Sequence, residues 1–274
     1  MPRAVFLLSA VLLAQPAHAV GDLLVAPTRV VLDGARGAEV ILSNKGSAPA
    51  TYRVSLELRR MDASGKLVEV SEAQADAREQ QTLAMISYAP RRVVLAPEQP
   101  QAIRIGVRAP EGLPNGEYRA HMLFRAVPDT APVGEAPKGG LSIALTPIYG
   151  VTIPIIVRRG ALQATAALAN PRRCTQGQGG AIGAAGAPGT PSLCFDLARQ
   201  GTRSLYGRVR VTRPGLAKPL LEARGVAVYA ESPGRVVALP VDPAVAAQLT
   251  GPVRIEYLED DGSSTIAELQ GVVR

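Results

Sequence analysis

The stretch Leu141-Ser142-Ile143-Ala144-Leu145-Thr146-Pro147-Ile148-Tyr149-Gly150-Val151-Thr152-Ile153-Pro154-Ile155-Ile156-Val157 decides how this chain is read. Leu141, Ile143, Leu145, Pro147, Tyr149, Val151, Ile153, Ile155 and Val157 all fall on odd positions. Successive side chains of an extended chain point to opposite faces, so a period of two kept up this far puts the whole row on one face. The other face is smaller and mixed, with Ser142, Ala144, Thr146, Gly150 and Thr152 among its members. Strands of globular domains usually run about 3–10 residues, so the row is long for its kind. Pro147 and Pro154 cannot donate to a ladder, which points to an edge position, a kink or a break into two strands. Such a row is either the core of its own domain or a surface offered to a partner strand. For Leu141, Ile143 and Leu145 both readings stay open; Val151–Val157 reads better as own core.

Working outward, the same grammar recurs. Short β-branched alternating runs separated by Gly, Pro, Asn and Asp are the pattern of an all-β sandwich. Upstream, strands are expected at Glu39–Ser43, Thr51–Arg60, Arg91–Leu95, Gln101–Val107 and Gly116–Val127. Ser71–Gln81, rich in Ala, Glu, Gln and Arg, is read as a solvated connection in preference to a short helix. Downstream of Arg158-Arg159-Gly160 the pattern restarts, at Leu162–Leu168, Leu193–Arg199, Leu205–Val211, Gly225–Tyr229, Arg235–Leu239, Val253–Leu258 and Ile266–Val273. The low-complexity glycines of 179–189 are expected to be mobile. A chain of 274 residues is long for one sandwich of about 100 and comfortable for two. The expected division is 20–158 and 159–274.

Residues 1–19 read as a cleaved secretory signal peptide: Arg3, an apolar run from Ala4 to Ala14, then Pro16 and a small-x-small pattern ending at Ala19. The apolar run is about half of the roughly 20 residues that a membrane-spanning helix needs. Export places Cys174 and Cys194 where disulfides form, and a single bridge between them is the expectation. In the loop-closure picture that bridge contributes roughly 3 kcal/mol. The C-x-x-C spacing of a redox pair is absent.

The formal net charge is +7, but it is dispersed, with no block of five or six Lys or Arg, and aromatics make up only 4% of the chain. A nucleic-acid groove with stacking rings has little to be built from. Enzyme chemistry has as little. Beyond the leader the only histidine is His121, inside an expected strand and read as facing solvent or an interface. The Glu259-Asp260-Asp261 cluster is explained by hairpin geometry before general acid–base work is needed. No phosphate-cradling glycine motif is present. Neither a cofactor, a metal nor a small-molecule substrate is expected.

Four segments carry a resemblance to a known family. Thr28-Arg29-Val30-Val31-Leu32-Asp33-Gly34 with Val40-Ile41-Leu42-Ser43-Asn44, the strand-turn-strand element Arg92–Ile105, the strand Gly116–Pro128 and the hairpin Tyr257-Leu258-Glu259-Asp260-Asp261-Gly262 resemble those of the periplasmic chaperones of chaperone–usher pilus assembly, the PapD-like proteins. The resemblance implies two immunoglobulin-like sandwiches set at an angle with a cleft between them, in the periplasm. It implies pilus or fimbrial subunits and an outer-membrane usher as partners. It also implies a mechanism in which a long strand at the end of the first domain completes a subunit that lacks one, with main-chain hydrogen bonds giving affinity and alternate side chains filling pockets. The donor side chains would be Leu141, Ile143 and Leu145, with Tyr149 and Val151 as continuations. Three or four of them, at about 1.5–3 kcal/mol each, supply roughly 5–12 kcal/mol before association costs. Arg29 matches the arginine that, with a lysine, anchors the subunit's terminal carboxylate in this family. The lysine is missing: Thr152 or Pro154 stands in its place, and Arg158 is a cation that could substitute. An immunoglobulin-like structural or adhesive module without chaperone activity is the alternative.

Overall fold

A computed structural model describes residues 23–34, 37–128, 148–175, 180–181, 189–246 and 248–273. The expected signal peptide, most of the 179–189 glycine loop and the donor residues Leu141, Ile143 and Leu145 lie outside the described residues.

The first half of the chain forms β1 (Leu23–Ala26), β2 (Val30–Asp33), β3 (Gly37–Asn44), β4 (Ala50–Met61), β5 (Leu67–Val70), α1 (Ala77–Met85), β6 (Ile86–Ala89), β7 (Arg92–Leu95), β8 (Pro100–Val107), β9 (Gly116–Val127) and β10 (Gly150–Arg159). One sheet runs β1-β3-β8-β6; the other runs β2-β10-β9-β4-β5, with β7 paired to β4. All pairings in this half are antiparallel except that of β10 with β2. The second half forms β11 (Ala164–Thr175), β12 (Gly180–Ala181), β13 (Pro191–Gly201), β14 (Leu205–Thr212), β15 (Leu221–Val228), β16 (Gly234–Pro240), α2 (Pro243–Ala246), β17 (Gly251–Glu259) and β18 (Thr265–Val273). Its sheets run β11-β13-β16-β12 and β15-β14-β17-β18.

Each pair of sheets closes on its own core. Val40, Leu42, Ile103, Phe124 and Ile155 are among the buried side chains of the first. Leu193, Phe195, Val209, Val237 and Ile255 are among those of the second. Alternation does this locally: along β14, Leu205, Gly207, Val209 and Val211 are buried and the residues between them are not. The architecture is all-β, two sandwiches in series, as the sequence pattern predicts.

One expectation is corrected. Ser71–Gln81 is not merely a connection: a 3-10 turn covers Glu72–Gln74, and α1 begins at Ala77. Asp76 caps the helix by accepting from the Glu79 amide at 2.8 Å, while Glu79 reaches back to the Asp76 amide at 2.9 Å. That reciprocal pair satisfies two N–H groups left over at a helix start. Among the described residues the long row is interrupted: β10 starts at Gly150, with Ile148 and Tyr149 outside any strand, which is one of the alternatives that its prolines left open.

Both faces of β9 are covered, which alternation alone does not foretell. Tyr118, Ala120, Met122 and Phe124 enter the first core. Glu117 and His121 on the opposite face are also buried, and Arg119 between them keeps only 8% of its side chain exposed. The second sandwich is what covers them. Met61 and Ile156 of the first half join Ala227 and Tyr229 of the second in a small buried cluster. At the β4–β5 hairpin the Ala63 carbonyl accepts from the Val236 amide at 3.1 Å, beside the edge of β16.

Candidate functional site

The seam between the sandwiches is built from charged residues. Glu117 is almost fully enclosed, with 1% of its side chain exposed. It accepts from Arg158 Nε at 3.0 Å and from the Ser204 amide of the second sandwich at 3.1 and 3.2 Å. Further along β9, Arg119 pairs with Glu231 of the second sandwich and lies over the Tyr229 ring, 3.6 Å from its centroid. Glu231 also accepts from the Met61 amide at 3.1 Å.

At one mouth of this seam lies an open cavity of about 470 Å³, lined by Arg29 and Arg158 from the first sandwich and by Arg203, Tyr206, Glu259 and Asp260 from the second. Arg29, just before β2, reaches across the seam. Its guanidinium stacks on Tyr206, 4.0 Å from the centroid, and donates to Ser204 Oγ at 3.5 Å. Its Nε is buried with no hydrogen-bond partner among the described residues. Burial lowers the Arg29 pKa from its ordinary value, with Arg158 adding repulsion, while Tyr229, Glu117 and Tyr206 oppose the shift. A guanidinium stays charged under such conditions, and its planar fork suits an anion that accepts two parallel hydrogen bonds. Arg158 is committed to Glu117, and Arg203 donates to the Ser204 carbonyl at 3.4 Å. The cavity therefore offers positive charge from three arginines, tempered by Glu259 and Asp260 at its rim. Arg29 is the member of the three with an unpartnered buried nitrogen.

Next to this mouth, β10 has an edge that is open among the described residues. Its pairing with β9 covers the whole strand, Gly150 to Arg159. Its pairing with β2 covers only Ile155 to Arg158. The Tyr149 carbonyl accepts from the Ala126 amide on β9 at 2.9 Å. In an antiparallel ladder the two backbone groups of a residue face the same side, and the side alternates along the strand. Gly150, Thr152 and Pro154 therefore turn their backbone groups away from β9, toward a side where β2 has not yet begun. Among the described residues the N–H and carbonyl groups of Gly150 and Thr152 are thus left for another strand, while the parallel pairing of Ile155 with Val30 takes up the Pro154 carbonyl. Val30 pairs with Ile155, so the open stretch ends where Arg29 begins.

The sequence-level candidates fall out as follows. Arg29 and Arg158 share the cavity. Thr152 and Pro154 do not line it; the Thr152 hydroxyl donates to Glu57 at 3.3 Å, and Pro154 stands opposite His121. Tyr149 is 59% exposed. Val151 is half-buried and packs against the first core. Cys174 and Cys194 form a disulfide, bridging neighbouring strands β11 and β13. His121 faces the interface and not solvent: it is 1% exposed, with the Tyr229 ring 6.2 Å away, edge to face. The Glu259–Gly262 turn is the expected hairpin, closed by the Gly262 amide on the Glu259 carbonyl at 2.8 Å. Among the described residues no group of three or more His, Cys, Asp or Glu could hold a metal ion, and no helix is long and apolar enough to cross a membrane. Sequence reasoning missed Arg203 and Tyr206, which the second sandwich brings to Arg29 from 174 or more positions away; no local signal marks them.

In structure the chain is similar to pilus chaperones. The E. coli chaperone DraB matches over 93% of this chain and 97% of its own, with 14% identity and a TM-score of 0.47. The CsuC–CsuE chaperone–tip adhesion subunit pre-assembly complex of Acinetobacter baumannii matches over 92% and 99%, with 13% identity and a TM-score of 0.46. The Salmonella enterica SafA pilin in complex with the SafB chaperone matches over 93% and 98%, with 16% identity and a TM-score of 0.45. No family model and no curated protein matches the chain.

Proposed function

We propose that this protein is a periplasmic chaperone that binds pilus or fimbrial subunits by lending them a β-strand and delivers them to an outer-membrane usher. It acts by binding and carries out no chemistry. In this reading residues 1–19 are a cleaved export signal, 20–158 form the strand-lending domain, and 159–274 form the second wall of the crevice. The observation that carries it is the half-open edge of β10 beside Arg29. Among the described residues nothing pairs with Gly150–Ile153 on that side, and the alternating row that leads into it includes Leu141, Ile143 and Leu145.

A strand seated on that edge would gain main-chain hydrogen bonds, while the alternate side chains of the row fill its pockets. Its terminal carboxylate would come to rest near Arg29. With Thr152 and Pro154 turned elsewhere, the second cation near that carboxylate would be Arg158 or Arg203. Co-expression with a candidate subunit tests the reading: a one-to-one complex is expected, and it should weaken when Arg29 is changed to Ala. A subunit that stays soluble alone and never co-elutes with this protein would overturn it.

A further inference from the structure

The seam holds one group that none of the foregoing uses. His121 sits on the covered face of β9, and neither ring nitrogen has a hydrogen-bond partner among the described residues. Burial and two nearby arginines, Arg119 and Arg59, disfavour a positive charge on it. On its own strand Arg119 is two residues away. On β4 the residue opposite is Glu57, with Arg59 beyond it. Glu57 accepts from Arg59 Nε at 2.6 Å and from the Thr152 hydroxyl at 3.3 Å, so its carboxylate is already engaged. On β10 the residue opposite is Pro154. From the second sandwich come Tyr229, whose ring meets the imidazole edge to face, and Glu231, which is engaged by Arg119 and the Met61 amide. Both carboxylates make these bonds through Oε1, and among the described residues neither bonds to the imidazole, whose two nitrogens stay without a partner.

We propose that the joint between the two sandwiches is an acid-sensitive hinge with His121 as its sensor, closed while the imidazole is neutral and favoured to open when it takes a proton. Parting the sandwiches is what would bring the ring into water, because Tyr229 and the second half cover it. Burial, then Arg119 and Arg59, hold its pKa down at about 3 in the closed joint, against an ordinary value of 6.5. An opened joint returns the ring toward the ordinary value, so proton uptake favours the open form as pH falls below about 6.5. The closed-to-open ratio then drops by up to about tenfold per pH unit until the closed form itself takes the proton. Opening would also carry Ser204 and Tyr206 away from Arg29.

Amides that bond across the seam report opening without unfolding: Met61 to Glu231, Ser204 to Glu117, and Val236 to Ala63. Hydrogen exchange of the full chain at pH 6.5 and 4.5 should show their protection, corrected for intrinsic rate, falling by up to about 50-fold. Core amides of β13 and β14 should keep theirs. In His121→Phe, or His121→Gln should the former not fold, the seam amides should hold their protection. Three results would overturn the proposal: seam protection unchanged in the native chain, seam and core amides lost together, or the same loss in the variant.

Discussion

Removing the Glu117 carboxylate should be among the most damaging single changes available to this protein. The side chain is 1% exposed and its partner Arg158 15%. It takes one charged donor at 3.0 Å and the Ser204 amide across the seam. Glu117→Ala strands a largely enclosed guanidinium and orphans an N–H, and breaking a buried pair by deleting one member costs about 3–5 kcal/mol. Glu117→Gln keeps the shape and an acceptor for Ser204 but loses the charge-assisted bond, for about 1.5–3 kcal/mol. At roughly 2–4 °C per kcal/mol for chains of this order, the alanine variant should melt about 6–20 °C below the native protein. Scanning calorimetry with a parallel urea titration measures both. A cost below about 1 kcal/mol for Glu117→Ala would refute the view that this carboxylate holds the sandwiches together.

Other consequences are as direct. Replacing Cys174 and Cys194 with Ser should cost about 3 kcal/mol, read by denaturant unfolding, because the bridge spans a sequence separation of 20. Asp76→Ala should cost about 1 kcal/mol of stability by thermal unfolding, since it removes the cap of α1. Glu79, which Arg60 holds below its ordinary value of 4.5 through a side-chain hydrogen bond, contributes stability that is present above that value and lost as pH falls through its lowered folded pKa. In Glu79→Gln that part of the acid sensitivity should vanish from a pH series of melting temperatures.

Most of the strands, though not the short β5 and β6, were legible because each sandwich has two inner faces, and an alternating run records which face is inward. Gly116–Val127 could be read to the residue for that reason. The helix was harder. Only Thr82 and Met85 of α1 are buried, so Ala77–Met85 carries almost no apolar period. Its readable sign was the Asp76-x-x-Glu79 capping box. Arg29 stood out only through the resemblance of its strand to a known family, and its stacking on Tyr206 and the company of Arg203 depend on how two separately folded sandwiches meet. The burial of His121 and Ile156 has the same origin: each lies on the outer face of its own sheet and is covered only by the other sandwich. No local pattern encodes a contact of that kind.

Lending a strand requires that β10 have room for one more. Hydrogen exchange at the Gly150 and Thr152 amides, free and in complex with a co-purified subunit, measures that room. Fast exchange in the free protein that slows sharply in the complex is the predicted result. Amides already slow in the free protein, or equally fast in both states, would contradict it.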